Sequence, residues 1–181
     1  MSKKIRYLTE TAVMLALLVS LQALTKPLGQ LVTGSVVNAI LAVTVLLAGV
    51  YSGITVAVIS PVLAYLLGIA PQILTVPAIM AGNTVFVLIL YFAAGRGRDT
   101  IAMKMIAWAA AAAAKFAVLY GIVVWLICGA FADRLLAAGV LKMPMLQALP
   151  ATFSWPQLLT ALIGGGIALV IVPALRKALH K

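Results

Sequence analysis

The run WAAAAAAKFAVLY, residues 108–120, holds one lysine in an otherwise apolar stretch. Lys115 can act there in three ways: as a neutral amine, as a charge solvated by carbonyls and water, or as a charge awaiting an anionic ligand. It falls about 13 residues, roughly 20 Å, from either end of the span predicted over 102–129, near the bilayer midplane. An ammonium at that depth costs about 2.5–3.5 kcal/mol even on a lenient insertion scale, so it must face protein or a wet cavity. The chain has three acids, Glu10, Asp99 and Asp133. The first lies near the inner end of a span and the others in predicted loops, so none reaches the depth of Lys115.

On a helix Lys115 shares a face with Trp108, Ala111, Ala112, Val118, Leu119 and Ile122, an aromatic ring to one side and space-leaving alanines to the other. Asn83, in the GNT of the fourth predicted span, sits about 12 Å deep and needs a hydrogen-bond partner. Such a cavity, mostly apolar with a few converging polar groups, is a small-molecule site in character. Asn38, Gln72, Trp155, Gln157 and Trp125 are further candidates near span ends, each alternatively an interface anchor or a cap.

These residues need a membrane scaffold. Of 181 residues 65% are hydrophobic and 9% charged, with a mean hydropathy of +1.22, against roughly 45–50% and about 25% in soluble domains. The apolar runs approach helix-crossing length and lack the alternation of a barrel. The expectation is an all-α integral membrane protein, residues 1–181 forming one compact bundle of six transmembrane helices. Spans are predicted over 7–25, 35–50, 52–69, 75–94, 102–129 and 155–178. The N-terminus reads as a retained first span, since Glu10 interrupts its start and no signal-cleavage site follows.

With the N-terminus inside, that side collects Lys3, Lys4, Arg6, Arg96, Arg98, Lys104, Arg176, Lys177 and Lys181, against Lys26, Arg134 and Lys142 outside. The bias places both termini in the cytoplasm. Of the 13 basic residues only Lys115 is left over. The predicted outer connections, 25–38, 68–75 and 129–153, are longer than the inner ones, 48–53 and 95–104, so a site should open outward. Segment 129–153 is apolar enough to lie on the membrane interface or over a cavity mouth. Ser154 and Pro156 mark a sharp start for the last span, while Pro61 and Pro173 should bend theirs.

Several classes are excluded. The basic residues end apolar runs and form no groove, which argues against nucleic acid. No Walker loop, zinc-protease motif, paired carboxylates or nucleophile–histidine pair exists, so no enzymatic activity is expected. The single Cys128 and single His180 indicate neither metal nor cofactor. GGG at 164–166 reads as close helix packing. Ala12, Ala16 and Ser20, spaced by four, form a small-residue stripe suited to docking another helix, within the bundle or outside it.

Six spans in under 200 residues, termini inside, the A-x-x-x-A of Ala12 and Ala16, long outer loops and Gly82-Asn83 together resemble the substrate-binding S components of energy-coupling factor (ECF) transporters. TKPLGQ, SPVLAYLLG and FSWPQLLTALIGG add to the likeness, which covers the whole chain. The resemblance implies capture of a small water-soluble vitamin or related micronutrient outside a bacterial cytoplasmic membrane. The protein would then topple to deliver it to a membrane coupling subunit driven by two ATPases, contacted through the span-one motif at Ala12 and Ala16. It also implies that residues 25–38 act as a gate. No signature in the chain matches a single vitamin. The alternatives are a stand-alone oligomeric transporter or channel, in which span-one stripes pair, and a non-transporting scaffold.

Overall fold

The computed structural model describes residues 2–69, 72–94 and 100–178. These residues are almost all helical, with no strand among them. Helix α1 (Lys3–Thr25) starts where the Ser2 hydroxyl accepts a hydrogen bond from Ile5 N–H, an N-cap that satisfies one free donor of the first turn. A 3-10 turn over Lys26–Leu28 carries Pro27 and stops the helix. Gly29 then takes φ +89°, a conformation strained for any side chain, and lets α2 (Gln30–Ala48) begin at once. Gly49 repeats the device at φ +92° between α2 and α3 (Val50–Leu66).

Helix α4 (Val76–Ala94) follows a 3-10 turn at Ile73–Thr75. Helix α5 (Ile101–Leu119) runs directly into a π-helical segment, Tyr120–Ala130, in which Phe131 N–H reaches the Leu126 carbonyl at 2.9 Å. Two short helices, α6 (Ala132–Ala137) and α7 (Met143–Phe153), lead to α8 (Trp155–Ala178), whose first turn holds Pro156 as its sequence predicts.

Among the described residues, five segments are long and apolar enough to cross a membrane: Lys3–Leu28, Gln30–Ala48, Ile73–Ala93, Ile101–Ala130 and Met143–Ala178. Helix α3, the third predicted span, has 17 residues, about 25 Å by helical rise and at the lower limit of crossing length. The helices pack around one core in which Leu18, Leu41, Val56, Phe86, Val87, Ala111, Ala112 and Ala161 are buried. A second cluster, with Ala78, Leu119, Val123, Leu141, Leu149 and Phe153, lies beneath α7.

Three expectations change. Segment 25–38 is not a long loop, because α2 starts at Gln30 and only Lys26–Gly29 connects it to α1. Segment 129–153, expected as a long connection, is largely helical; α6 and α7 fold onto the bundle, Leu149 and Phe153 are buried, and Thr152 and Phe153 line the cavity. Ala111 and Ala112 do not leave room beside Lys115, since both are fully buried in the core. Arg96, Arg98, Asp99, His180 and Lys181 lie outside the described residues.

Close packing is visible at the glycines of α2 and α8. A Cβ on Gly164 would come within 3 Å of the α2 backbone at Ser35 and Ala39, and one on Gly165 would overlap the Trp108 indole. Gly164 and Gly165 thus admit two neighbouring elements that any larger side chain would push away.

Candidate functional site

Four helices send polar side chains to one point in the core. Asn38 stands eight residues beyond Gln30 on α2, about 12 Å below that helix's start. Asn83 and Phe86, three apart on α4, share a face. Lys115 comes from α5 and Thr160 from α8. The Lys115 ammonium, 3% exposed, donates to Asn38 Oδ1 at 2.5 Å and to Asn83 Oδ1 at 2.7 Å. It also lies 5.6 Å from the centroid of the buried Phe86 ring, within cation–π range.

The lysine found without an acid at its depth is therefore held by two side-chain amides and a ring. The only ion pair among the described residues is Arg6–Glu10, one turn apart near the start of α1. Amide oxygens carry partial charge only, so they can solvate a protonated Lys115 but cannot neutralise it.

The amide orientations follow from this. With Asn38 Oδ1 turned to Lys115, its Nδ2 donates to the Gly34 carbonyl at 2.9 Å and to Thr160 Oγ1 at 3.3 Å. Thr160 passes its own proton to the Gln157 carbonyl at 3.1 Å. Gly34 is required for this junction, because a Cβ there would meet the Thr160 methyl at 2.8 Å. Asn83 is less well served. Its Oδ1 binds Lys115, but its Nδ2 has no partner although the residue is 1% exposed. A buried unsatisfied donor costs about 1–3 kcal/mol, and a native structure that keeps one calls for a reason.

Lys115, Asn38 and Asn83 form the floor of a cavity of about 330 Å³. Its walls are Thr33, Gly34 and Val37 of α2, Ile79 of α4, Thr152 and Phe153 of α7, and Gln157 of α8. Gln22, Lys26, Gly29, Gln30 and Ile69 line it where α1 ends, α2 begins and α3 has ended, which makes that end of the bundle its mouth. Among the described residues the lining contains two lysines, several amides and hydroxyls, and no carboxylate. At the mouth Lys26 Nζ donates to the carbonyl of Gly68. The size suits a small organic molecule.

The sequence candidates divide cleanly. Lys115, Asn83, Asn38 and Gln157 meet at the cavity. Trp108 does not: its indole points to α8, donating to the Ala161 carbonyl at 3.4 Å and packing on Gly165 and Gly166. Trp155 is 68% exposed and stacks on Phe116 at 6.0 Å, and Trp125 is 67% exposed. Gln72 does not line the cavity; its carbonyl caps the turn through Thr75 Oγ1 at 2.8 Å. Sequence reasoning missed Gln22, Lys26, Thr33, Thr152 and Thr160. Polar residues one turn from a predicted span end would have been the signal for the first three.

The Ala12, Ala16 and Ser20 stripe is exposed, while Thr11 and Leu18 on the opposite side of α1 are buried. Packing of the stripe inside the bundle is thereby excluded. Searched against family models the chain matches none, and compared with curated proteins and with solved structures it likewise gives no match.

Proposed function

We propose that this protein is the substrate-capture component of an ECF-type importer, binding a small, anionic, water-soluble micronutrient from outside and delivering it by toppling onto an ATPase-driven coupling module. In this reading α1, α2, α3, α4, α5 and α8 are six spans in a bacterial cytoplasmic membrane, with both termini inside and the cavity mouth outward. The single observation that carries it is the cavity whose floor is a buried lysine held only by neutral groups. Such a site is a counter-ion position without a resident counter-ion, and an anionic ligand entering from the mouth supplies one.

Two features support the coupled mechanism. The outward Ala12–Ala16–Ser20 stripe lets a foreign helix approach the α1 backbone closely. The chain also carries no Walker loop, so import powered by ATP would draw on separate ATPases.

Copurification tests the reading: the protein expressed with its native partners should bring down a membrane coupling subunit and two ATPases. Ala12→Trp and Ala16→Trp should abolish that assembly and uptake while leaving ligand binding intact. A protein that transports alone as an oligomer, or a stable coupling complex despite either bulky substitution, would refute the proposed role.

A further inference from the structure

Lys115 is one of two cations on the cavity, and the second is placed differently. Lys26 is exposed, at the mouth, in the three-residue turn between α1 and α2. Its ammonium reaches across to the carbonyl of Gly68, the left-handed residue (φ +67°) just beyond the end of α3. That contact ties the α1–α2 connection to the α3–α4 connection by one neutral acceptor, beside Gly29 and Ile69 of the cavity rim.

A single backbone carbonyl is a weak hold on an ammonium. The group has three donors, and any carboxylate brought near competes with full rather than partial charge. The N-terminus of α2 stands at the same place, and its N-cap, Gly29, has no side chain to accept from the first-turn N–H groups. Anion-seeking groups therefore stand at both ends of the cavity: Lys115 and the unpartnered Asn83 Nδ2 at the floor, and Lys26 with the α2 N-terminus at the mouth. Between them Val37, Ile79 and Phe153 give the wall its apolar side, interleaved with Thr33, Thr152 and Gln157. Floor and mouth are about 12 Å apart by the rise of α2 from Gln30 to Asn38.

We propose that the cavity takes an elongated organic dianion, with a carboxylate-like group at each end of an apolar middle: Lys115 holds the inner end, and Lys26 exchanges the Gly68 carbonyl for the outer one. This rests on the capture reading above and narrows its ligand. Lys26 is then a specificity-determining residue, since it rewards the second charge and bears on no molecule charged at one end alone. The exchange also frees the α3–α4 connection from the α1–α2 turn when ligand is bound.

The test is calorimetric titration of the purified full chain with straight-chain α,ω-dicarboxylates of four to ten carbons and with the monocarboxylates of equal length. The expected result is saturable binding that is tightest for one intermediate or long dicarboxylate and weaker for its monocarboxylate. Lys26→Met should weaken that dicarboxylate about fivefold, the scale of a solvent-exposed ion pair, and leave the monocarboxylate unchanged. Lys115→Met should weaken both by at least about thirtyfold, as loss of one partner in a buried charge pair does. Equal affinity for mono- and dicarboxylates, no binding of either series, or an equal effect of Lys26→Met on both would overturn the dianion assignment. The capture reading fails separately, if Lys115→Met leaves monocarboxylate binding intact.

Discussion

The two ends of the bundle treat their polar side chains in opposite ways. At the end where α1 starts, they pair off: Tyr7 hydroxyl with Thr55 at 2.7 Å, Thr11 with Ser52 at 2.9 Å, Arg6 with Glu10 at 3.0 Å, and Arg176 with the Leu46 carbonyl left over at the end of α2. At the cavity end they converge without closing the account: Lys115 meets only neutral acceptors, Asn83 keeps an unpartnered amide, and Lys26 rests on one carbonyl. The same helices run through both ends, so the difference is one of purpose rather than of composition. Paired polar groups fix helix register, whereas surplus donors around a cavity prepare it for a ligand rich in acceptors.

Structural pairing and the ligand site meet at Asn38, so the largest effect is expected there. Asn38→Leu removes one of the two amides holding Lys115 and the α2–α8 link through Thr160. The expected loss is about 2–3 kcal/mol of stability, read as a lowered unfolding midpoint in detergent. Combining it with Lys115→Met should recover most of that loss, because the buried charge departs with its partner.

Gly164→Val should cost about 1–3 kcal/mol by forcing α8 away from α2, and it should weaken ligand binding in step with stability because Asn38 moves with α2. Asn83→Asp sharpens the contrast between the ends. A carboxylate there neutralises Lys115 and removes the orphaned amide, so the fold should gain about 1 kcal/mol while anion binding disappears. The smallest effect belongs to the closed end: Tyr7→Phe should cost about 0.5–1.5 kcal/mol of stability and leave ligand affinity unchanged. A Tyr7→Phe variant with impaired binding would show that the two ends are not separable.

How much of this was legible beforehand depended on what each residue reports about depth. Lys115 and Asn83 stood out because a charge or an amide inside a long apolar run must find a polar partner, whether that partner is structural or a ligand. Asn38 was visible only as a span-end residue. The helix reaches back through the polar stretch Gln30–Ser35, which hydropathy reads as loop, and this sets Asn38 two turns deeper. Tryptophans carry the opposite bias, since their apolar rings fit a cavity, a helix interface or lipid equally well; Trp108 took the second, and Trp155 stays exposed, stacked on Phe116.

Thr160 and Thr152 were invisible because threonine satisfies itself on its own helix, as Thr44 does on Ile40, and nothing in the spacing shows which one meets a neighbour. The small-residue stripe was legible as a stripe, but only the fold shows that it faces outward. The apolar segment 129–153 resisted reading for a related reason: hydropathy measures burial and cannot say whether lipid or protein provides it.

The central claim, that the charge opposing Lys115 comes from outside the protein, is tested most directly by native mass spectrometry of the chain released intact from its membrane. The wild-type protein should carry a small acidic molecule, and Lys115→Met, folded to the same extent, should emerge bare. A wild-type protein without any such molecule, or a Lys115→Met variant that retains the same one, would contradict it.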